Sequence, residues 1–226
     1  MCIVNEKRLK LGVLGSGKGS NLAAIAEAAQ RGEIPVDIVL VVADSPDAGI
    51  LDKAKSYGIT SRYIFPGNSK TRLETKEEQN YITALKEAGA EWVALAGFMR
   101  ILKNGFLNAF PEKVINIHPS LLPMFPGLCA WKQAIDCGVK VTGVTVHYVD
   151  SGIDSGPIIA QRAVPVLKND TPETLHQRIQ LEEHKLSGIL TLGGTILGTS
   201  REKPFKISKN DGGINKPEQI VQNYHD

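Results

Sequence analysis

Residues 9–31 read LKLGVLGSGKGSNLAAIAEAAQR and join an apolar strand, a glycine-rich turn and a helix. Leu9 to Leu14 is the predicted strand, and apolar residues recur at helical spacing between Asn21 and Arg31. The run from Val36 to Ala43 has the apolar, β-branched composition typical of a parallel strand that is buried on both faces. A strand, a helix and a second strand in this order predict a parallel βαβ unit.

The same alternation of strands and helices continues to about residue 190. Ser45-Pro46 predicts the start of a helix that ends at Gly58, because serine caps helices and proline favours their first turn. Thr75-x-x-Glu78 has the pattern of a capping box, which predicts a helix that ends at Gly89. Further strands are predicted at residues 61–65, 92–96, 113–117, 141–149 and 157–166, the last two antiparallel, with a final helix at 171–190. The whole pattern predicts an α/β fold with a doubly wound, mostly parallel, Rossmann-like sheet and an antiparallel edge.

Length and composition predict one ordinary globular domain. The chain has 226 residues, of which 42% are hydrophobic and 22% charged, and this fits a single domain over residues 1–226. We expect the core of that domain at about residues 8–193 and a loosely packed polar tail at residues 199–226. The net charge of +2, with Lys and Arg dispersed along the chain, argues against a nucleic-acid surface.

Membrane and metal partners are not expected either. No segment approaches about 18 consecutive apolar residues, and the N-terminal residues lack the apolar core of a signal peptide, so we expect a cytoplasmic location. The three cysteines have no Cys-x-x-Cys spacing and are predicted to be buried thiols. The histidines also lack metal-binding spacing, so no metal is predicted. We expect small-molecule partners and either a monomer or a homodimer, between which the sequence does not decide.

The glycine-rich turn joins a strand to the N-terminus of a helix, where free backbone amides and the helix dipole favour an anion. It reads Gly15-Ser16-Gly17-Lys18-Gly19-Ser20-Asn21. Two nucleotide motifs match it incompletely: Gly19 stands where a P-loop has Ser or Thr, and Ser20 stands where the dinucleotide fingerprint has Gly or Ala. Three interpretations are open, namely a simple turn, a nucleotide site, and the one we favour, a phosphate monoester held by the amides of Gly19, Ser20 and Asn21.

Asn116, His118 and Asp154 carry the functional groups needed to move an acyl group. Asn116 and His118 leave the end of a predicted strand on the same face, and Asp154 lies on a glycine-rich loop. Asn116 suits a carbonyl oxygen that gains charge, and His118 suits an acid near neutrality. Asp154 could keep His118 protonated or relay a proton through water. Each residue alone would also fit a structural role, but Gly-x-Ser-x-Gly occurs nowhere, so we predict direct transfer without a covalent enzyme intermediate.

Several blocks of this sequence together resemble the folate-dependent formyltransferases. They are Asn116-Ile117-His118-Pro119-Ser120-Leu121-Leu122-Pro123, Gly143-Val144-Thr145-Val146-His147, Asp150-Ser151-Gly152-Ile153-Asp154-Ser155-Gly156-Pro157, the glycine-rich turn, and Ala96-Gly97-Phe98-Met99-Arg100-Ile101-Leu102. The resemblance spans roughly residues 11–190 and implies the formyltransferase fold. It further implies transfer of a formyl group from 10-formyltetrahydrofolate, as co-substrate, to the amine of glycinamide ribonucleotide in de novo purine synthesis.

The resemblance also implies roles for individual residues. The catalytic trio would be Asn116, His118 and Asp154. Contacts to the phosphate and ribose of the acceptor would come from Gly19, Ser20, Asn21, Leu22 and Glu183. Contacts to the folate would come from Arg72, Met99, Arg100, Ile101, Leu102 and Asn116, with main-chain groups reading the pteridine. The alternatives are formyltetrahydrofolate deformylase, another folate-dependent formyltransferase such as the one acting on methionyl-tRNA, and a non-catalytic nucleotide- or folate-binding protein.

Overall fold

Strands and helices alternate along the part of the chain that the computed structural model describes, residues 8–187. The strands are β1 (Leu9–Gly15), β2 (Val36–Ala43), β3 (Ser61–Tyr63), β4 (Trp92–Leu95), β5 (Val114–His118), β6 (Val141–Tyr148) and β7 (Ile158–Pro165). The helices are α1 (Ser20–Gln30), α2 (Gly49–Ser56), α3 (Thr75–Glu87), α4 (Asn104–Ala109), α5 (Ala130–Asp136) and α6 (Pro172–Ser187). All of them belong to one unit over residues 1–192, and the predicted tail at residues 199–226 lies outside the described residues.

The seven strands form one sheet in the order β3-β2-β1-β4-β5-β6-β7. Neighbouring strands from β3 to β5 are parallel, and β6 runs antiparallel to both β5 and β7. This topology confirms the predicted doubly wound, mostly parallel sheet with an antiparallel edge. The strand order reverses its direction between β1 and β4, and open α/β sheets bind ligands at such a point.

Apolar side chains on both faces of the sheet hold the helices in place. On one face, Leu11 and Val13 of β1 pack in a core with residues of α1, α2, α5 and α6. On the other face, Leu14 of the same strand packs with Tyr81 of α3 and Phe106 of α4. Successive residues of a strand point to opposite faces, so a single strand contributes to both cores. Because the helices cover the two faces of the sheet, the carboxyl ends of the strands are left to the loops that follow them.

The start of α2 differs from the prediction. Ser45 does not cap this helix, because the Ala48 amide donates to the Ser45 carbonyl (3.3 Å) and closes a turn around Pro46. Proline suits the second position of a β-turn as well as the first turn of a helix, and the sequence pattern alone does not separate the two. The helix itself begins at Gly49.

The predicted capping box at α3 is also wrong. Thr75 is the first residue of the helix rather than its cap, and no side chain caps this terminus. The buried carboxylate of Glu78 accepts a hydrogen bond from the Lys103 amide (2.8 Å) at the start of α4 instead. A contact between distant parts of the chain has therefore replaced the local one. The short helix α4 was not predicted, and α5 was considered only as a helix that could carry both Cys129 and Cys137.

The cysteine prediction was wrong for the two cysteines that lie in the described part of the chain. Cys129 and Cys137 flank α5 and are exposed, because the buried face of this helix is formed by Ala130 and Ala134. Across residues 8–187, no three His, Cys, Asp or Glu side chains cluster in a way that would hold a metal ion. Over that same span, no helix is both long enough and apolar enough to cross a membrane.

Candidate active site

The polar residues singled out in the sequence follow three neighbouring strands of the sheet. Strands β1, β4 and β5 are adjacent and parallel, so the loops after them emerge at the same edge. These are the β1–α1 loop (residues 16–19), the β4–α4 loop (residues 96–103) and the β5–α5 loop (residues 119–129). Adjacent strands lie about 4.8 Å apart, which puts the ends of β1 and β5 about 10 Å from each other.

Asn116, His118 and Asp154 lie together and share contacts at one carboxylate. The Asn116 amide donates to one oxygen of Asp154 (Nδ2–Oδ1 3.3 Å), and the His118 ring lies 3.2 Å from the other (Nδ1–Oδ2). The Gly127 amide donates to that second oxygen as well (2.8 Å). Asp154 itself has a φ of 50°, a left-handed conformation that aspartate tolerates better than most residues. The structure thus brings two side chains from the end of β5 together with one from the loop between β6 and β7.

A fourth polar side chain, His147, completes this group. It lies directly opposite Asn116 in the pairing of β5 with β6 and is only 2% exposed. Its Nδ1 is 2.8 Å from the Tyr148 carbonyl, which can only accept, so this nitrogen carries the proton. Its Nε2 lies 3.2 Å from the Asn116 amide nitrogen and 3.6 Å from Oδ1 of Asp154. We call Asn116, His118, His147 and Asp154 the Asp154 cluster.

No role for His147 followed from the sequence, although the residue stood inside one of the quoted blocks. The available signal was a histidine in a strand whose other residues are mostly apolar or β-branched. That signal shows only that a polar group is buried. Its direct pairing with Asn116 depends on the register of β5 against β6, which the structure supplies.

The His118 ring is held between two hydrogen-bond acceptors. Its Nε2 lies 2.9 Å from the Phe125 carbonyl, and its Nδ1 faces the Asp154 carboxylate. A doubly protonated ring would satisfy both contacts, whereas a neutral ring satisfies one. Burial nevertheless lowers the pKa of His118, and the Asp154 carboxylate and the Phe125 carbonyl offset only part of this effect. Because its pKa is lowered, the His118 ring is mostly neutral near neutral pH, and Asp154 does not keep it protonated there as the sequence suggested it could.

Asp154 shows the opposite balance between burial and neighbouring groups. Burial alone would raise the pKa of this carboxyl, yet the net shift is downward. Contacts with the His147 ring, the His118 ring and the Gly127 amide favour the carboxylate, and together they outweigh burial. Asp154 is therefore ionised at neutral pH and able to accept a proton.

The β5–α5 loop is held in place by buried polar side chains. Thr145 of β6 donates to the Ser120 carbonyl (2.6 Å) and accepts from the Leu122 amide (3.0 Å). The Ser120 hydroxyl in turn donates to the Met124 carbonyl (2.5 Å). These bonds hold the loop that presents the Phe125 carbonyl to His118 and the Gly127 amide to Asp154.

The β1–α1 loop ends in a left-handed glycine at the N-terminus of α1. Gly19 has a φ of 79°, and a Cβ at this position would lie 2.9 Å from the Ile50 Cα atom. The turn therefore requires glycine. The first hydrogen bond of the helix runs from the Ala23 amide to the Gly19 carbonyl (3.0 Å), so the three amides in between have no acceptor within the helix. Together with the dipole of α1 such amides can bind an anion, and they belong to Ser20, Asn21 and Leu22.

Glu183 of α6 lies against this helix terminus. Its carboxyl is hydrogen-bonded with the side chain of Asn21, and both residues are buried. Burial raises the pKa of Glu183 to about 7, and the contact with Asn21 opposes this shift. A carboxyl that changes its charge near neutral pH therefore lies next to the amides at the N-terminus of α1.

The guanidinium of Arg100, in the β4–α4 loop, is already engaged by the protein. It is largely buried and contacts the Asp44 carboxylate (Nε–Oδ2 2.5 Å) as well as the Ser69 carbonyl. The guanidinium is therefore committed to contacts within the protein, and the resemblance assigns folate recognition in this loop to main-chain groups.

The other predicted folate contacts lie in or beside the same loop. Met99 and Ile101 expose their side chains, whereas Leu102 is buried in the core on the α3–α4 face. Arg72 is exposed and forms a short parallel bridge with Ile101 through the main chain. The structure therefore brings Arg72 to the loop, although it lies far away in the sequence.

Comparisons with known proteins by sequence and by structure both point to one protein family. The sequence model of the formyl transferase family matches residues 9–189, which include every element from β1 to α6. A phosphoribosylglycinamide formyltransferase from Bacillus subtilis (strain 168) is 44% identical over 176 residues, or 78% of this chain and 89% of that protein. The trifunctional purine biosynthetic protein adenosine-3 of Bos taurus is 43% identical over 183 residues, which are 81% of this chain but 18% of that longer protein.

Solved structures of proteins with related sequences have the same fold as this chain. The crystal structure of glycinamide ribonucleotide transformylase 1 from Symbiobacterium toebii superposes with a TM-score of 0.81 at 41% identity, covering 86% of this chain and 92% of that one. The crystal structure of phosphoribosylglycinamide formyltransferase from Bacillus halodurans has a TM-score of 0.77 at 39% identity, covering 88% of this chain and all of that one. Both share the fold of this chain over most of its length.

Proposed function

The chain belongs to the formyl transferase family, and from this premise we propose that it transfers the formyl group of 10-formyltetrahydrofolate to the amine of glycinamide ribonucleotide, in purine biosynthesis. The observation that carries the proposal is the Asp154 cluster, in which an ionised carboxylate, a neutral buried imidazole and an amide lie in contact. As parts of the same proposal, the enzyme acts in the cytoplasm on small molecules alone, as a monomer or homodimer.

The acceptor is proposed to bind with its phosphate at the N-terminus of α1. The amides of Gly19, Ser20, Asn21 and Leu22 and the dipole of α1 suit a phosphate monoester. Glu183 lies against the same terminus and is proposed to contact the ribose hydroxyls. The ends of β1 and β5 are separated by about two strand spacings, roughly 10 Å, which suits the span from the phosphate to the amine of a small ribonucleotide.

The formyl donor is proposed to lie along the β4–α4 loop, which follows the strand between β1 and β5. The Met99 amide is bonded to Ser16 and the Ile101 amide to Thr71, so other main-chain groups between Met99 and Leu102 would read the pteridine. Exposed Arg72 would meet the acidic tail of the folate. This placement puts the donor between the acceptor loop and the Asp154 cluster, so the formyl carbon and the amine can meet at the cluster.

The proposed chemistry is direct attack by the amine on the formyl carbon, with His118 and Asn116 stabilising the oxygen. The neutral His118 ring donates a hydrogen bond to this oxygen as the oxygen gains negative charge. Asn116 can donate a second hydrogen bond to this oxygen, after that from His118, only by giving up its contact with His147 or Asp154. Asp154 accepts the proton that the amine loses and passes it to the leaving nitrogen, so one C–N bond forms, one breaks and no net proton is consumed.

The proposal is tested by incubating the purified protein with both substrates and identifying the products by mass spectrometry. We expect formylglycinamide ribonucleotide and tetrahydrofolate in equal amounts, with turnover that depends on the amine. Equal loss of formylfolate when the amine is omitted would show that water is the acceptor and that the protein is a deformylase. Binding of either ligand without turnover would make it a non-catalytic binding protein.

A further inference from the structure

Ser16 connects the β1–α1 loop to the β4–α4 loop through both its main chain and its side chain. Its amide donates to the Gly97 carbonyl (3.1 Å), and its hydroxyl accepts from the Met99 amide (2.9 Å). The loops approach closely at this point, since a Cβ at Gly15 would lie 3.0 Å from the Ala96 carbonyl oxygen. One residue therefore holds the proximal part of the β4–α4 loop against the loop that ends at the N-terminus of α1.

The distal part of the β4–α4 loop is held by other groups. The Ile101 amide donates to the Thr71 carbonyl (2.9 Å), and the Arg100 guanidinium contacts Asp44 and the Ser69 carbonyl. These contacts do not involve the β1–α1 loop. Truncation of the Ser16 side chain would therefore release the Met99 amide, while the main-chain bond to Gly97 and the distal contacts of the loop remain.

We propose that Ser16 is a positioning residue that couples the two substrate sites, so that each substrate binds more tightly when the other is present. The inference rests on the function proposed above, in which the acceptor phosphate binds three to six residues after Ser16 and the donor lies along the β4–α4 loop. A phosphate at the N-terminus of α1 orders residues 16–19. The ordered Ser16 then holds Gly97 to Met99 in the donor-binding arrangement. Coupling between two ligands is reciprocal, so the donor tightens the acceptor site by the same factor.

The Ser16 hydroxyl is suited to coupling rather than to stability. Its bond to the Met99 amide is exposed, so water can take the place of the hydroxyl when the side chain is truncated. We therefore expect Ser16→Ala to fold normally, with a melting temperature close to that of the wild type. The loss should appear in the energetic link between the sites, because water satisfies the Met99 amide but does not tie it to the other loop.

The experiment measures the dissociation constant of tetrahydrofolate with and without saturating glycinamide ribonucleotide, a pair that cannot react. We expect the acceptor to tighten tetrahydrofolate binding to the wild type about threefold to tenfold, the range of one hydrogen bond. In Ser16→Ala the ratio should fall to about one, and Ser16→Thr, which keeps the hydroxyl, should restore it. The matched control is Ser56→Ala, which removes a hydroxyl bonded to the Lys53 carbonyl on α2 and should keep the wild-type ratio.

The outcomes separate this proposal from the proposed function. A wild-type ratio of one, or an unchanged ratio in Ser16→Ala, overturns the coupling role while the enzyme still makes formylglycinamide ribonucleotide. A Ser56→Ala variant that loses the coupling as completely as Ser16→Ala would also overturn it. If the wild type binds neither ligand and forms no product, the proposed function fails and the coupling fails with it.

Discussion

The Asp154 cluster and the N-terminus of α1 are the two regions that the proposed reaction needs, and they are built differently. The cluster consists of side chains that bond with one another, and each of its members contacts at least one other. The N-terminus of α1 offers main-chain amides, which Gly19 positions through a backbone conformation that a side chain would disturb. One region depends on chemical groups, and the other depends on the shape of the main chain.

This difference predicts different responses to substitution. Exchanging one group for another of the same size should impair the Asp154 cluster, because proton transfer requires a particular functional group. The same kind of exchange should matter little at the N-terminus of α1, where any residue has an amide. Adding bulk there should instead weaken binding of the acceptor. The first region should therefore control kcat and the second KM.

Asp154→Asn should have the largest effect. The amide keeps the size of the carboxylate but cannot accept the proton of the attacking amine, so we expect kcat to fall about a thousandfold, within the usual range for a general acid or base. The KM of either substrate should change less than about threefold in steady-state kinetics. The matched control is Asp136→Asn on α5, whose exposed carboxylate pairs with Lys132 and should be dispensable. A variant that keeps more than a tenth of the wild-type kcat would remove Asp154 from the mechanism.

The sequence predicts the positions of these groups better than their contacts. The apolar runs of the central strands are long, so the sheet and the shared face of Asn116 and His118 could be predicted from periodicity. The partners of polar residues could not, because they come from distant segments: His147 meets Asn116 through strand register, and Glu78 meets the amide of Lys103. Local patterns favoured a capping box for Glu78, and burial against another helix outweighed it.

Glu183→Gln should have the next largest effect, and it tests the region around α1 by pH. Burial raises the pKa of Glu183 from 4.5 to about 7, so the folded protein holds this proton more tightly than the unfolded chain. The resulting stability is fully present below pH 4.5, declines from there to pH 7 and is lost above it, in total about 3 kcal/mol. Glutamine stays neutral, so the variant should lack this decline in the free energy of unfolding, measured with urea from pH 4.5 to 8.

A matched control for this pH series is Glu173→Gln, which lies on the same helix. Hydrogen bonds, first that from its own amide, lower the pKa of Glu173, so in the folded protein this carboxyl titrates mainly below the pH range of the experiment. The control should therefore show the same decline as the wild type. Parallel curves for Glu183→Gln and the wild type would contradict the assignment, and would mean that the Asn21 contact keeps the carboxyl ionised throughout.

Gly19→Ala should have the smallest of the three effects. It tests most directly whether the N-terminus of α1 depends on the shape of its main chain rather than on chemical groups. Alanine would adopt a φ of 79° only with strain, and its Cβ would lie 2.9 Å from the Ile50 Cα atom, so the first turn of α1 must shift. We expect the KM of the acceptor to rise about tenfold, the factor that corresponds to roughly 1.4 kcal/mol. Because the Asp154 cluster is untouched, kcat at saturation should stay within about threefold.

Gly17→Ala is the matched control for backbone shape, since a Cβ there meets no atom within 4 Å. It should change the KM of the acceptor less than about twofold, because the added methyl group neither strains the main chain nor displaces α1. Equal losses from Gly17→Ala and Gly19→Ala would mean that any bulk in the loop blocks the acceptor, and then the amides would not be what Gly19 positions. A Gly19→Ala variant that lowers kcat but leaves the KM of the acceptor unchanged would contradict the comparison itself. It would show that the backbone at the N-terminus of α1 acts on the chemical step, which is assigned to the Asp154 cluster alone.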